Sequence, residues 1–526
     1  MLFIRPLVLL VVLLPAGLAP AQNATTLLLN GKILTVDPQF STVEAMAIRD
    51  GRIVAVGKST DLRKMAGTQT RVIDLAGRTV IPGLIDSHMH AVRAALSFST
   101  EVNWIGARSI AEALDRIRQA SQSMAPGAWL IVAGGWNAEQ FRENRRPTQA
   151  ELAAAAPDNP VYIQLGYGWA VLTPKALEKL HIAGDADLPS GGKLERDSDG
   201  KPTGAVSGGQ NAIIALFDRL PVPTPEQEVD GTKKFFRELN RLGVTGVVDP
   251  GGNNMTPESY QALFKVWRQR ELSVRVAYSL CGITPGKEFE ELKDLTQMLP
   301  MGFGDGMLRF NGIGERITWA MNNNNNPTAA EREKYYEIVR WAAERGMSLT
   351  MHWPRNDSVG VLLDIFDRVN KEVPIASLRW SIAHLNDASP ESLRRMKALG
   401  IGWTAQPGRS VPPVESAKEL GVVVGAGTDA HRVASYNPFT ALQQFLNGRI
   451  ARNEALRLYT MGSAWFSHDE DERGSLEPGK LADLAVLSQD YLTAPAEQVG
   501  AIESVLTMVG GKIVYAAGPF AQMEDR

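Results

Sequence analysis

From residue 26 to residue 80, short apolar and β-branched runs alternate with turn dipeptides. LLLNGKILTV bends at Asn30-Gly31, and AMAIRDGRIVAVG bends at Asp50-Gly51. Asn-Gly and Asp-Gly tolerate the positive φ that a two-residue hairpin turn demands, so both stretches are predicted as β-hairpins. The pattern returns at the other end of the chain, in DLAVL (483 to 487) and in VLTMVGGKIVY (505 to 515) around Gly510-Gly511. Residues 22–80 and 471–526 are therefore expected to form one small β-sandwich domain built from both chain ends.

Between them the pattern changes: strand-like runs alternate with amphipathic helical ones such as ESLRRMKAL (391 to 399), the signature of parallel βα units. Eight strands are predicted, at 79–90, 243–250, 272–280, 307–315, 347–353, 379–385, 400–407 and 422–430. The fold class is α/β, with a (β/α)8 barrel over residues 81–470. About 150 residues separate the first strand from the second, whereas each later gap fits one helix, so an inserted subdomain is expected at about 100–220. Its own fold is not readable from the pattern.

The 526 residues are enough for a barrel plus a satellite domain. Basic and acidic residues nearly balance, 55 against 58, and no basic run could follow a phosphate backbone, which argues against a nucleic-acid partner. Arg5 precedes an apolar stretch from Pro6 to Leu18 and then Ala19-Pro20-Ala21, which fits a Sec-type signal peptide (residues 1–21) cleaved after Ala21. Its roughly 13 apolar residues fall short of the ~20 needed to span a bilayer. A secreted or periplasmic protein without stable membrane association after cleavage is expected. Cys281 is the single cysteine, so no intramolecular disulfide can form.

His88-Met89-His90 ends the first predicted strand, where residues i and i+2 point the same way and two imidazoles can reach one cation. His352, His384 and Asp429 each fall near the end of another predicted strand, and barrel active sites form where such ends converge. Imidazole and carboxylate donors suit a divalent metal, zinc foremost, with manganese, iron and nickel compatible by ligand type. His181 and His468 lie away from strand ends and are read as structural or exposed. Trp104, Trp136, Trp169, Trp319, Trp353 and Trp403 fall near strand ends or in the insert, which raises the idea of an aromatic-walled pocket.

VIPGLIDSHMH (80 to 90), the PTG of KPTGAV (201 to 206), GVTGVVDPG (243 to 251), the histidines of TMHW and IAHL, GAGTDA (425 to 430) and GSLEPGKLADLAVL (474 to 487) together resemble the amidohydrolase superfamily. Within it the chain is most similar to the amidohydrolase-3 branch, that of YtcJ-like and N-substituted formamide deformylase-like proteins. The resemblance implies one or two metals per chain: His88, His90 and Asp429 around one, His352 and His384 around a second. Asp429 would be the general base and acid, taking a proton from water and passing it to the leaving group. Many relatives bridge the metals through a carboxylated lysine on the fourth strand. That strand here reads Arg309-Phe-Asn-Gly-Ile-Gly-Glu315 and has no lysine, so Glu315 becomes the candidate bridging carboxylate.

Two further departures concern the substrate: His352-Trp-Pro-Arg355 replaces the usual pattern after the fifth strand, and Gly166-Tyr167-Gly168-Trp169 replaces a segment that brings a substrate-contacting histidine. Tyr167, Trp353 and His431 are the substrate-binding candidates. Arg355 is read as a surface residue, with pairing to a substrate carboxylate as its other role. The expected activity is hydrolysis of a C–N bond in a small molecule (an amide, an N-substituted formamide or a cyclic amide) by metal-activated hydroxide. The alternatives are a heteroaromatic deaminase of the same superfamily, or a non-catalytic periplasmic binding protein. A homo-oligomer is a family-level expectation only.

Overall fold

The structure, a computed structural model, describes residues 23–252, 255–321, 326–408 and 410–525. The proposed signal peptide lies outside the described residues. Among them no helix is long and apolar enough to cross a membrane.

Eight parallel strands form the central barrel: β1 (Leu84–Asp86), β2 (Val244–Asp249), β3 (Arg275–Leu280), β4 (Leu308–Ile313), β5 (Thr350–Trp353), β6 (Ser381–His384), β7 (Gly402–Ala405) and β8 (Val424–Ala426). They pair in sequence order from β1 to β4 and from β5 to β8. A parallel bridge between Ile313 and Leu349 joins the two halves, and the Ser87 N–H donates to Ala426 O at 3.0 Å to close the ring. Helices on the outside follow most strands, among them Gln261–Arg268, Ala329–Glu344, Val359–Glu372 and Pro390–Leu399. Their starts are written locally: the Thr328 hydroxyl accepts the Glu331 N–H while the Glu331 carboxylate accepts the Thr328 N–H, a reciprocal cap. Val247, Phe310, Met351, Trp353, Trp380 and Trp403 belong to the buried core that these layers enclose.

The predicted strand at 79–90 is in fact two. Thr79–Pro82 runs antiparallel to Leu484–Leu487 in a six-stranded sheet made from both chain ends, and only Leu84–Asp86 enters the barrel. The chain crosses between sheets at Gly83, where a Cβ would lie 2.1 Å from Thr245 Oγ1. A four-stranded sheet (Ala24–Leu29, Ala45–Arg49, Arg52–Gly57 and Ala66–Asp74) faces the six-stranded one. Leu28, Ile48, Ile73, Val80, Leu484, Leu506 and Ile513 fill the space between them, which makes a sandwich.

Between β1 and β2 the chain builds a five-stranded sheet in the order Lys193–Arg196, Pro202–Ser207, Trp169–Leu172, Val161–Leu165, Leu130–Val132. Alternate residues of its strands bury opposite faces. Val161 and Ile163 pack with helices Ile110–Ser123 and Gln149–Ala155, whereas Tyr162 packs with Pro174–Lys179 and Gln210–Phe217. The turn between Leu165 and Trp169 carries Tyr167.

Candidate metal centre

Six side chains converge at the C-terminal mouth of the barrel. Strand β1 ends at Asp86, four residues earlier than its pattern predicts, yet the following loop keeps cross-strand hydrogen bonds. Met89 N–H donates to Val248 O, His90 N–H to Ala430 O, and Asp429 N–H to His88 O. This holds His88 and His90 on the inner side while Met89 packs in the core. Glu315 lies two residues past β4, His352 within β5, His384 at the end of β6 and Asp429 three residues past β8. Three ligand sets have donor atoms within 4.8 Å of one another: His88/His90/Glu315, His88/His384/Asp429 and Glu315/His352/His384.

Glu315 sits between the histidine pairs. Its Oε1 is 3.3 Å from His90 Nε2, and its Oε2 is 3.0 Å from His352 Nδ1 and 3.2 Å from His88 Nε2. Asp429 Oδ1 lies 3.3 Å from His90 Nε2 and Oδ2 4.0 Å from His384 Nδ1. Burial opposes both carboxylate charges, but the surrounding imidazoles prevail. Asp429 is held at about 2, and Glu315 is also well below the usual range, with His352 and His90 the main causes. Burial lowers the proton affinity of His88, which is fully buried and has neither ring nitrogen hydrogen-bonded. An unsatisfied buried group of this kind costs about 1–3 kcal/mol. Two ionised carboxylates facing four imidazoles, one of them orphaned, form a donor set that a divalent cation fits.

Partners behind the cluster aim its members. The Gln406 carbonyl oxygen lies 3.1 Å from His384 Nδ1 and also accepts the His384 N–H, and Trp403 Nε1 donates to His384 O. Gly251 O lies 2.7 Å from His90 Nδ1, which leaves Nε2 toward the cluster. Asp86 accepts from the Thr428 hydroxyl and N–H and from the His88 N–H, and burial raises its pKa to about 7. His384 and Asp429 both have left-handed backbone, φ 71° and 55°, a conformation side chains adopt only when their surroundings enforce it. Asp86, Gln406 and Asp249, whose carboxylate accepts the Val92 and Gly251 N–H groups, were not singled out by the sequence pattern. Asp86 and Asp249 lie inside the quoted VIPGLIDSHMH and GVTGVVDPG stretches, and nothing pointed to Gln406.

The substrate-binding candidates fare differently. His431 is buried at the seam between barrel and insert. Its carbonyl accepts the Gly135 N–H, its Nε2 lies 3.8 Å from Glu101 Oε2, and neither ring nitrogen is hydrogen-bonded. Tyr167 is half-buried and within electrostatic reach of Arg93 and Arg316 beside the cluster. Trp353 is corrected: the strand alternation that turns His352 inward turns the next residue outward, and the indole is fully buried in the core. The aromatic-walled pocket falls with it. Trp104, Trp136, Trp169 and Trp403 are likewise buried in hydrophobic cores, and only Trp319 of the six is half-buried. Arg355 is exposed and paired with Asp357, His181 is exposed, and His468 shares a contact with Ser348 away from the cluster.

The chain is 26% identical to an N-substituted formamide deformylase of Arthrobacter pascens, over 94% of this chain and 99% of that protein. Among solved structures, an uncharacterized metal-dependent hydrolase from Pyrococcus horikoshii superimposes with TM-score 0.60 at 22% identity, covering 90% of this chain and 99% of that one. An atrazine chlorohydrolase from Arthrobacter aurescens complexed with zinc superimposes with TM-score 0.54 at 17% identity, covering 93% and 95%. The model of the amidohydrolase family matches residues 71–515, a span that takes in the barrel and all six clustered side chains. The chain belongs to the amidohydrolase family and is a metal-dependent hydrolase.

Proposed function

We propose that this protein is an exported amidohydrolase that cleaves the C–N bond of an amide, an N-substituted formamide or a cyclic amide. The observation that carries this reading is Glu315 lying between two histidine pairs with Asp429 at the open side of the cluster, where its side chain is 20% exposed. His88, His90, His352, His384, Glu315 and Asp429 would hold one or two divalent cations, zinc by donor type. Such a cation polarises a carbonyl and makes water acidic enough to act at neutral pH.

The chain's own groups supply the rest. Asp429, ionised across the neutral range and the most exposed carboxylate of the cluster, takes the proton of the attacking water and returns it to the leaving nitrogen. Tyr167 and His431 would donate an O–H or N–H to the carbonyl oxygen. Burial lowers the proton affinity of His431 despite the nearby Glu101, so the imidazole would act as a neutral donor.

The test is turnover by metal-reconstituted protein of matched N-substituted formamides, simple amides and cyclic amides, beside aminated heteroaromatic rings. Release of formate or carboxylate with amine is the expected result. Ammonia from the rings with no amide cleavage would transfer the site to deamination, and occupied metal with no turnover of any class would favour a binding protein. Export is checked separately, by the N-terminus of protein recovered from outside the cytoplasm.

A further inference from the structure

Two arginines beside the cluster lack the partners that buried guanidinium groups need. Arg316, the residue after Glu315, is 4% exposed, and its Nε and Nη1 are buried without a hydrogen bond. One face of the guanidinium lies 3.8 Å from the centroid of the Trp319 ring, which leaves its edge to face elsewhere. Arg93, on the helix Ala91–Phe98 that follows His90, has a buried Nε with no partner. A Cβ placed on Gly252 would lie 2.9 Å from His90 Nδ1 and 3.4 Å from Arg93 Nη1, so the guanidinium lies near the His90 ring on its Gly251 side. Among the described residues neither arginine has an ion pair. Each feels the charge of the other's surroundings: burial lowers the proton affinity of Arg316, and the positive charge of Arg93 lowers it further. Tyr167, in the turn between Leu165 and Trp169, is near enough to act on the charge of both.

Guanidinium nitrogens buried without an acceptor, as Arg93 Nε and Arg316 Nε and Nη1 are, are costly unless an anion arrives to accept their N–H groups. In the protein alone, Glu315 and Asp429 offset part of the charge on Arg93. A divalent cation held by those carboxylates would take up that negative charge and leave the two arginines without that offset. We propose that Arg93 and Arg316, with the Tyr167 hydroxyl, form a subsite for a carboxylate carried by the substrate, so that the preferred amides are anionic. This rests on the amidohydrolase reading and narrows it. The planar fork of arginine matches a carboxylate in two parallel hydrogen bonds, which a neutral carboxamide cannot accept equally well.

The experiment measures binding by calorimetry to metal-loaded protein of two isosteric pairs: N-formylphenylalanine with its carboxamide, and N-benzylsuccinamic acid with N-benzylsuccinamide. The acid of at least one pair is expected to bind about 30-fold more tightly than its amide, the range of a charge-assisted contact. That acid-over-amide ratio should fall at least tenfold in Arg316→Gln and in Arg93→Gln, with metal content per chain unchanged by elemental analysis. Arg316→Lys should restore only part of it.

Equal binding within both pairs overturns the subsite. So does an acid preference that survives in both glutamine variants, because the metal itself would then be holding the carboxylate. Failure of the broader reading looks different. If the loaded protein binds acids selectively but cleaves none of the four compounds or the wider amide panel, the anion subsite stands and amide hydrolysis falls.

Discussion

The two ends of the barrel treat buried charge in opposite ways. At the end where the strands begin, Arg275 on β3 donates to both oxygens of Asp483 at 2.7 and 3.0 Å and to Gly306 O at 2.7 Å. Close by, Asp469 accepts Arg473 Nε at 2.9 Å and also pairs with Arg309. At the end where the strands finish, His88, Arg93, Arg316 and His431 all have buried nitrogens with no hydrogen bond, and two residues are held left-handed. The paired end tolerates burial because its arginines and aspartates meet in ion pairs fixed at folding, although Arg473 Nη1 is buried there without a hydrogen bond. The unpaired end keeps polar groups waiting for something the chain does not contain. Stability resides at the first end and chemistry at the second, the division that barrels generally show.

Replacing Glu315 by Gln should break the contrast most. The amide matches the carboxylate in size but removes the charge shared by His88, His90 and His352. Turnover of any cleaved amide should drop about 10³-fold and metal content should fall, with thermal stability held within a few degrees, because the site already carries its desolvation penalty. Measured metal per chain beside kcat/KM checks it. Retention of both would mean that the cluster does not depend on a carboxylate between its histidine pairs.

Asp469→Ala is the mirror experiment. It strands Arg473 and Arg309 in a buried setting and should destabilise the protein by about 3–5 kcal/mol while leaving kcat/KM within about twofold. Denaturant unfolding and kinetics on one preparation separate the two effects. A loss of turnover without a loss of stability would erase the division between the ends.

What the sequence showed of this contrast is uneven for physical reasons. Histidines are rare here, seven in the chain, and those of the cluster recur at strand ends, so a period-two pattern sufficed to single them out. Glu315 was visible because a lysine was missing from the same strand. Arg93, Arg316 and Gln406 were not visible, because arginine and glutamine are surface residues by default and only the tertiary fold reveals that Arg316 and Gln406 are buried and Arg93 half-buried. Trp353 was misassigned by one step of strand alternation, which composition cannot resolve but register can. The insert was recognised by its length and not by its fold. Its strands pair largely antiparallel, two of the pairs through short turns at 166–168 and 197–201, so no local βα rhythm announced them.

A smaller effect tests the support behind the cluster. Gln406→Leu keeps the volume but removes the oxygen at His384 Nδ1, which frees the ring to rotate and choose another tautomer. Metal affinity should weaken by about 10- to 100-fold, measured by competition with a chelating dye. An unchanged affinity would show that Trp403 and the backbone alone hold His384.

The least disruptive test changes only protons. In metal-free protein, burial and Arg93 oppose a charge on His90, but Glu315 and Asp429 prevail and raise its pKa to about 10. An imidazole that holds its proton more tightly folded than unfolded, where its pKa is 6.5, contributes stability that is complete below pH 6.5. That contribution is lost as the pH rises toward 10, by about 1.4 kcal/mol per unit for one proton. Buried Asp86, raised to about 7, also costs stability on deprotonation, but that cost is complete by pH 7 and is shared by metal-free and metal-loaded protein. Asp429, at about 2, stays ionised throughout. The window from pH 7 to 10 therefore isolates the histidine side of the cluster. Metal-free protein should lose thermal stability across it, whereas protein loaded with zinc should not, because a cation coordinated by neutral imidazole stands in for the proton. Parallel curves for the two forms would mean that the metal sits elsewhere, and the contrast between a satisfied and a waiting end of the barrel would have to be redrawn.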